Sequence, residues 1–62
     1  MVLKKGQRYR YRSEKYSYDL VLLNVSDKIL TILIPEEYRV FKVKREEFLN
    51  GIETGRLKEY KD

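Results

Sequence analysis

The sequence feature that most limits the fold is the strict alternation of arginine and tyrosine over residues 8–12, which read Arg-Tyr-Arg-Tyr-Arg. Successive side chains of a β-strand point to opposite faces, whereas a helix repeats about every 3.6 residues. The alternation therefore predicts a strand. It also predicts two rows of side chains, because the arginines must point to one face and Tyr9 and Tyr11 to the other.

Three more runs rich in β-branched and aromatic residues follow this segment, and turn residues separate them. The runs cover residues 16–25, 29–34 and 38–44. Ser26-Asp27 is a turn pair, and Pro35 ends the third run because it cannot donate to a strand ladder. In the run over residues 16–25, the alternation of side chains predicts that Leu20 and Leu22 lie on one face. Val21, Leu23 and Val25 are predicted to lie on the other.

The last third of the chain changes its period. Phe48, Leu49 and Ile52 stand at helical spacing, and Asn50-Gly51 is a helix stop signal. Residues 56–60 then return to a strand-like pattern. We therefore predict a mainly β protein with one domain over residues 1–62: a small five-stranded antiparallel SH3-like barrel or curled sheet, with one short helical turn near residues 45–51.

The composition limits the chemistry available to the chain. Cysteine and histidine are both absent from the 62 residues, which excludes disulfides, thiolate nucleophiles and Cys- or His-based zinc sites. The acidic pairs Glu36-Glu37 and Glu46-Glu47 are adjacent in sequence, and adjacent carboxylates rarely converge on one substrate. We predict no catalytic residues, no metal, no cofactor and no enzymatic activity.

Two local motifs carry a resemblance to a known family of folds. Gly6-x-x-Tyr9 opens the first strand, and Glu47-Phe48-x-x-x-Ile52-x-x-Gly55-x-Leu57 closes the chain. Together they resemble the small SH3-like β-barrel domains. Because members of that fold bind nucleic acids or peptides, the resemblance implies a binding domain. The chain departs from the peptide-binding kind, since it has no tryptophan and no acidic specificity loop beside aromatic residues.

The net charge of +4 is concentrated at one end of the chain. Residues 1–15 carry six basic residues against Glu14, a net charge of +5, so that the other 47 residues together carry −1. A basic segment attracts polyanions, and aromatic side chains can stack on unpaired bases. The predicted nucleic-acid-binding residues are Lys4, Lys5, Arg8, Arg10, Arg12, Lys15, Tyr16 and Tyr18.

Two alternatives remain open from the sequence. Arginine stems cover apolar surface and pair with Glu or Asp, so the arginine row is also explained as a solvated strand face. A mixed basic and aromatic surface forms only if Tyr16 or Tyr18 lies beside that row. The alternative function is a protein-interaction or accessory module, in one form homo-oligomeric, which uses a sheet edge or a tyrosine patch.

The composition also predicts where such a protein works. No apolar stretch approaches the ~20 residues that a membrane helix needs, and we expect a cytoplasmic protein with no membrane partner. The charged fraction of 39% and the scarcity of Asn and Gln are typical of proteins from hot environments.

Overall fold

The chain forms five β-strands and one α-helix in a computed structural model, which describes residues 3–60. The elements are β1 (Arg8–Arg12), β2 (Ser17–Val25), β3 (Ile29–Ile34), a 3-10 turn (Pro35–Glu37), β4 (Arg39–Lys44), α1 (Arg45–Glu53) and β5 (Leu57–Glu59). This confirms the prediction of a mainly β fold with five strands and one short helix.

The strands form a single antiparallel sheet in the order β4-β3-β2-β1-β5. The sheet is not closed, because β4 and β5 lie at its two edges and do not pair with each other. Helix α1 connects these two edge strands and contacts both. The helix, rather than a ladder of hydrogen bonds, therefore joins the two ends of the sheet.

The hydrophobic core lies between α1 and the inner face of the sheet. Tyr9 and Phe48 meet there edge to face, with ring centroids 5.0 Å apart and planes at 84°, which is a favoured geometry for aromatic pairs. The buried residues of this cluster are Leu3, Tyr9, Leu20, Leu22, Leu30, Ile32, Phe48 and Leu57. The strand residues of the core all point to the inner face of the sheet, and Phe48 of α1 packs over them.

A β-bulge in β2 changes the predicted faces of that strand. Leu22 pairs with Ile32 and Asn24 pairs with Thr31, so Leu23 is left as an extra residue between them. One extra residue shifts the alternation by one, and Val25 therefore packs against the core. The prediction that Val25 shares a face with Val21 is wrong for this reason.

The helix is longer than its stop signal predicts. It continues through Asn50-Gly51 to Glu53, and Gly51 keeps a helical conformation. A Cβ atom on Gly51 would lie only 2.7 Å from Cδ1 of Leu57, so this glycine permits β5 to pack closely against the helix. Gly55, with φ of 83°, is the glycine that turns the chain after the helix.

Candidate nucleic-acid interface

The two side-chain rows of β1 lie on opposite faces of the sheet, as the alternation predicts. Tyr9 is 2% exposed beneath α1, and Tyr11 is half-buried on the same inner face. Arg8, Arg10 and Arg12 are exposed on the outer face. Because the strand rises about 3.3 Å per residue, the three guanidinium groups are distributed along roughly 13 Å of strand.

Strand β5 brings more positive charge to the same outer face. Lys58 pairs with Arg10 in the β1–β5 register. The N–H of Arg12 donates to the carbonyl of Arg56 at 2.8 Å, which places these two residues opposite each other. We call the five cations Arg8, Arg10, Arg12, Arg56 and Lys58 the basic cluster. Like charges that face each other across antiparallel strands destabilise the pairing.

Asp19 neutralises part of the basic cluster. Nε of Arg10 donates to Oδ1 of Asp19 on β2 at 3.0 Å. This hydrogen bond and the charge of Asp19 raise the pKa of Arg10 above its ordinary value. Among residues 3–60, Arg12, Arg56 and Lys58 form no ion pair. The basic cluster is therefore only partly paired with acids.

Tyr60 is the aromatic residue that lies on the basic cluster. Its ring centroid is 5.0 Å from the guanidinium carbon of Arg10 and 5.4 Å from that of Arg8. Its hydroxyl accepts a hydrogen bond from Nη2 of Arg10 at 3.1 Å. The backbone N–H of Tyr60 also donates to the carbonyl of Arg8 at 2.8 Å. Tyr60 is 39% exposed, so this residue combines cation–π contacts with accessibility to solvent.

The predicted set of nucleic-acid-binding residues does not contain Arg56, Lys58 or Tyr60, which β5 and its flanking residues bring beside the arginines of β1. The signal that could have found them is the period of the last strand. Arg56, Lys58 and Tyr60 alternate with Leu57 and Glu59. Since Leu57 is buried, alternation predicts that Arg56, Lys58 and Tyr60 point to the outer face.

The structure divides the remaining predicted lysines between the two ends of β1. Lys4 and Lys5 are exposed ahead of Gly6, on the side of Arg8. Lys15 and Tyr16 lie in the turn after Arg12 and line an open groove together with Arg56. Tyr16 is 66% exposed, so an aromatic ring is accessible at the Arg12 end of the basic cluster.

Tyr18 lies on the other side of the sheet from the basic cluster. It pairs with Tyr11 across β1 and β2, and the two rings stack with centroids 5.0 Å apart and planes at 26°. Burial beside the core raises the pKa of Tyr18. Tyr18 and Arg10 therefore lie on opposite faces of the sheet and cannot contact one nucleobase together. Tyr60 is the aromatic residue that forms a mixed basic and aromatic surface with Arg10.

The described part of the chain, residues 3–60, holds no group of three or more Asp and Glu side chains placed to bind a metal ion. Within the same residues, no helix is long and apolar enough to cross a membrane. No family model, no curated protein and no solved structure matches this chain.

Proposed function

We propose that this protein binds nucleic acid through the basic cluster on the outer face of β1 and β5. The observation that carries the proposal is the pairing of like charges across these strands, Arg10 with Lys58 and Arg12 with Arg56. Such pairs weaken the folded state of the free protein. A polyanion reverses their effect, because phosphate groups between the cations replace repulsion with attraction and release counterions.

The fold is in keeping with a binding role. An open five-stranded antiparallel sheet with a short helix before the last strand is compatible with the SH3-like architecture. We therefore extend the proposal to an SH3-like module that binds through its sheet. The proposed interface differs from the predicted one, because β5 and the residues that flank it add Lys58, Arg56 and Tyr60 to the arginines of β1.

The proposal is tested by measuring oligonucleotide binding as a function of salt. Fluorescence anisotropy of labelled single and double strands should give a log Kd that changes linearly with log salt, by about 0.7 to 0.9 for each phosphate contacted. Arg12→Gln should weaken binding and reduce the slope by about one phosphate contact. Lys28→Gln is the matched control, because Lys28 is an exposed cation in the β2–β3 turn and lies away from the basic cluster.

Three experimental results would contradict the proposal. Undetectable binding to both strand forms at low ionic strength contradicts it, and so does binding that is insensitive to salt. Equal losses in Arg12→Gln and Lys28→Gln would show that net charge alone, rather than the basic cluster, attracts the ligand.

A second candidate function, contact with another protein, is favoured by the open edge at β4. Tyr38, which precedes this strand, is 91% exposed and has a positive φ of 52°. A bulky residue in the left-handed region costs on the order of 1–2 kcal/mol. Val40 on the same edge strand is 58% exposed. An edge strand that exposes an apolar side chain beside its cations can still pair with a strand of a partner, and the oligomeric state tests the homo-oligomeric form of this function.

A further inference from the structure

We propose that a cleft beside Tyr60 binds one unpaired nucleobase and prefers guanine. The proposal rests on the proposed function, since it names the part of the nucleic acid that this face would recognise. The cleft lies on the outer face and has a volume of about 250 Å³. Its lining residues are Arg8, Asp19, Val21, Pro35, Glu36 and Tyr60.

The shape of the cleft suits a single flat ring system. Tyr60 stands at the β5 side, Pro35 at the β3 side, and Val21 of β2 lies between them. The volume is below the ~300–1,000 Å³ of sites for drug-sized ligands. A base that enters would stack on the exposed part of the Tyr60 ring, an interaction that tolerates every base.

The carboxylates in the cleft supply the preference among bases. Asp19 already accepts a hydrogen bond from Arg10. Glu36 is exposed, and it forms neither an ion pair nor a side-chain hydrogen bond with another residue of the described range 3–60. A carboxylate is an acceptor with two oxygens. Guanine is the base whose Watson–Crick edge presents two adjacent donors, N1–H and the 2-amino group, and it therefore matches Glu36 best.

The other bases fit this carboxylate less well. Adenine and cytosine each place a ring-nitrogen acceptor beside their amino group, and thymine and uracil place carbonyl oxygens on both sides of their single N–H. An ionised carboxylate has no proton to donate to those acceptors. Each therefore gives one hydrogen bond and one repulsive contact where guanine gives two hydrogen bonds.

The arrangement also separates the base from the phosphates. The carboxylates of Asp19 and Glu36 repel a phosphate. Arg8 of the basic cluster lines the cleft, whereas Arg12, Arg56 and Lys58 lie outside it, along β1 and along β5 and the residue before it. A strand would thus run its backbone over the basic cluster with one base turned into the cleft. In a duplex the Watson–Crick edge of guanine is occupied by cytosine, so the site selects an unpaired base.

The test compares short oligothymidylates that carry one central guanine, adenine or cytosine with the unmodified oligothymidylate, by fluorescence anisotropy at fixed salt. We expect the guanine strand to bind about tenfold more tightly than the others. Glu36→Gln should remove this preference and leave oligothymidylate binding as tight or tighter, because a negative charge is lost. Glu37→Gln is the matched control, since Glu37 lies in the same 3-10 turn but pairs with Arg39 at 3.7 Å.

The stacking role of Tyr60 is tested with two variants. Tyr60→Ala should weaken binding of all four strands by about five- to tenfold. Tyr60→Phe keeps the ring, loses only the hydroxyl that accepts from Arg10, and should stay close to the wild type. An equal effect of both variants would contradict stacking and would assign the contribution of Tyr60 to its hydroxyl.

The two proposals fail in different ways. If the four strands bind equally and Glu36→Gln behaves like Glu37→Gln, the base-binding cleft is overturned, while salt-dependent binding that Arg12→Gln weakens still supports the basic cluster. If no strand binds at low salt, the proposed function is wrong and the cleft proposal is overturned with it. A guanine-containing duplex that competes as well as the guanine-containing single strand would also contradict a site for an unpaired base.

Discussion

Tyr9 shows how one residue connects the strand pattern with the stability of the core. Its ring packs edge-on against Phe48, and its hydroxyl donates to Oε1 of Gln7 at 3.4 Å. Burial of the side chain, and to a smaller extent the charge of Glu59, raise the pKa of Tyr9 above its ordinary value of 10.0. Both causes penalise the tyrosinate form.

The raised pKa predicts a loss of stability at alkaline pH. In the folded state Tyr9 keeps its proton more firmly than in the unfolded chain, so its contribution is fully present below pH 10 and is lost as the pH rises through the folded pKa. Urea unfolding at neutral pH and above pH 10 should show this fall.

The variant Tyr9→Phe separates this titration from the rest of the chain. It keeps the ring in the core, and its stability should fall less steeply over the same interval. The raised pKa of Tyr18 would still contribute in this variant. Identical pH profiles for the wild type and Tyr9→Phe would contradict the assignment to Tyr9.

At the residue level, the sequence predicts orientation better than it predicts neighbours. Period two correctly separates the arginines from Tyr9 and Tyr11, because alternation is a property of one strand. The contact of Tyr60 with Arg8 and Arg10 depends on the β1–β5 register, which joins residues some 50 positions apart. No local pattern contains that register, although the alternation in β5 indicates the face of Tyr60.

At the level of elements, the β1–β5 pair combines weak association with a concentration of positive charge. Strand β5 has three residues and, among residues 3–60, pairs with β1 alone. The pair places Lys58 opposite Arg10, so its side chains oppose the association that its backbone hydrogen bonds favour. The burial of Leu57 against the core supplies apolar stabilisation of the last strand.

Lys58→Glu should therefore change stability and binding in opposite directions. In the free protein, the substitution replaces a repulsive cross-strand pair with an attractive one and should stabilise the fold. It should also weaken oligonucleotide binding, because a phosphate contact is replaced by repulsion. Thermal unfolding and fluorescence anisotropy measure the two effects.

Lys58→Gln is the intermediate control for this prediction. It removes the repulsion without adding an attraction, and both of its changes should lie between those of the wild type and Lys58→Glu. A variant that gains stability without losing affinity would exclude Lys58 from the interface.

The elements also show where sequence patterns stop being sufficient. The bounds of β3 are predicted to the residue, because Pro35 ends it and a turn precedes it. The bulge at Leu23 leaves no mark in composition, since the extra residue is apolar like its neighbours. The helix passes its predicted stop because Gly51 serves close packing against Leu57 rather than a turn.

At the scale of the whole molecule, the sheet has an inner face covered by α1, an outer face that carries the basic cluster, and, within the described residues 3–60, two edge strands, β4 and β5. The β4 edge is the longer of the two, with six residues against three in β5. Its side chains include Val40, which is exposed, and the cations Arg39, Lys42 and Lys44. Lysines on an edge strand discourage association between identical edges.

We expect the protein to be a monomer on this ground. A symmetric antiparallel pairing of two β4 strands places residues of the same face opposite each other. Centred on Lys42, it would bring the Lys42 side chains of the two copies together, and the cations would repel. Sedimentation velocity over a range of protein concentrations measures the oligomeric state. A dimer that Val40→Lys dissociates would contradict the expectation and would favour the homo-oligomeric form of the second candidate function.

The small size of β5 has a consequence for the timing of recognition. A strand of three residues at a sheet edge opens locally at a lower free energy than the rest of the fold. Arg56 precedes this strand, Lys58 lies in it, and Tyr60 follows it. Each local opening of β5 therefore separates these three residues from the arginines of β1. A bound oligonucleotide that contacts both β1 and β5 would make this local opening less favourable. The amide protons of Leu57–Glu59 should then exchange with solvent more slowly than in the free protein.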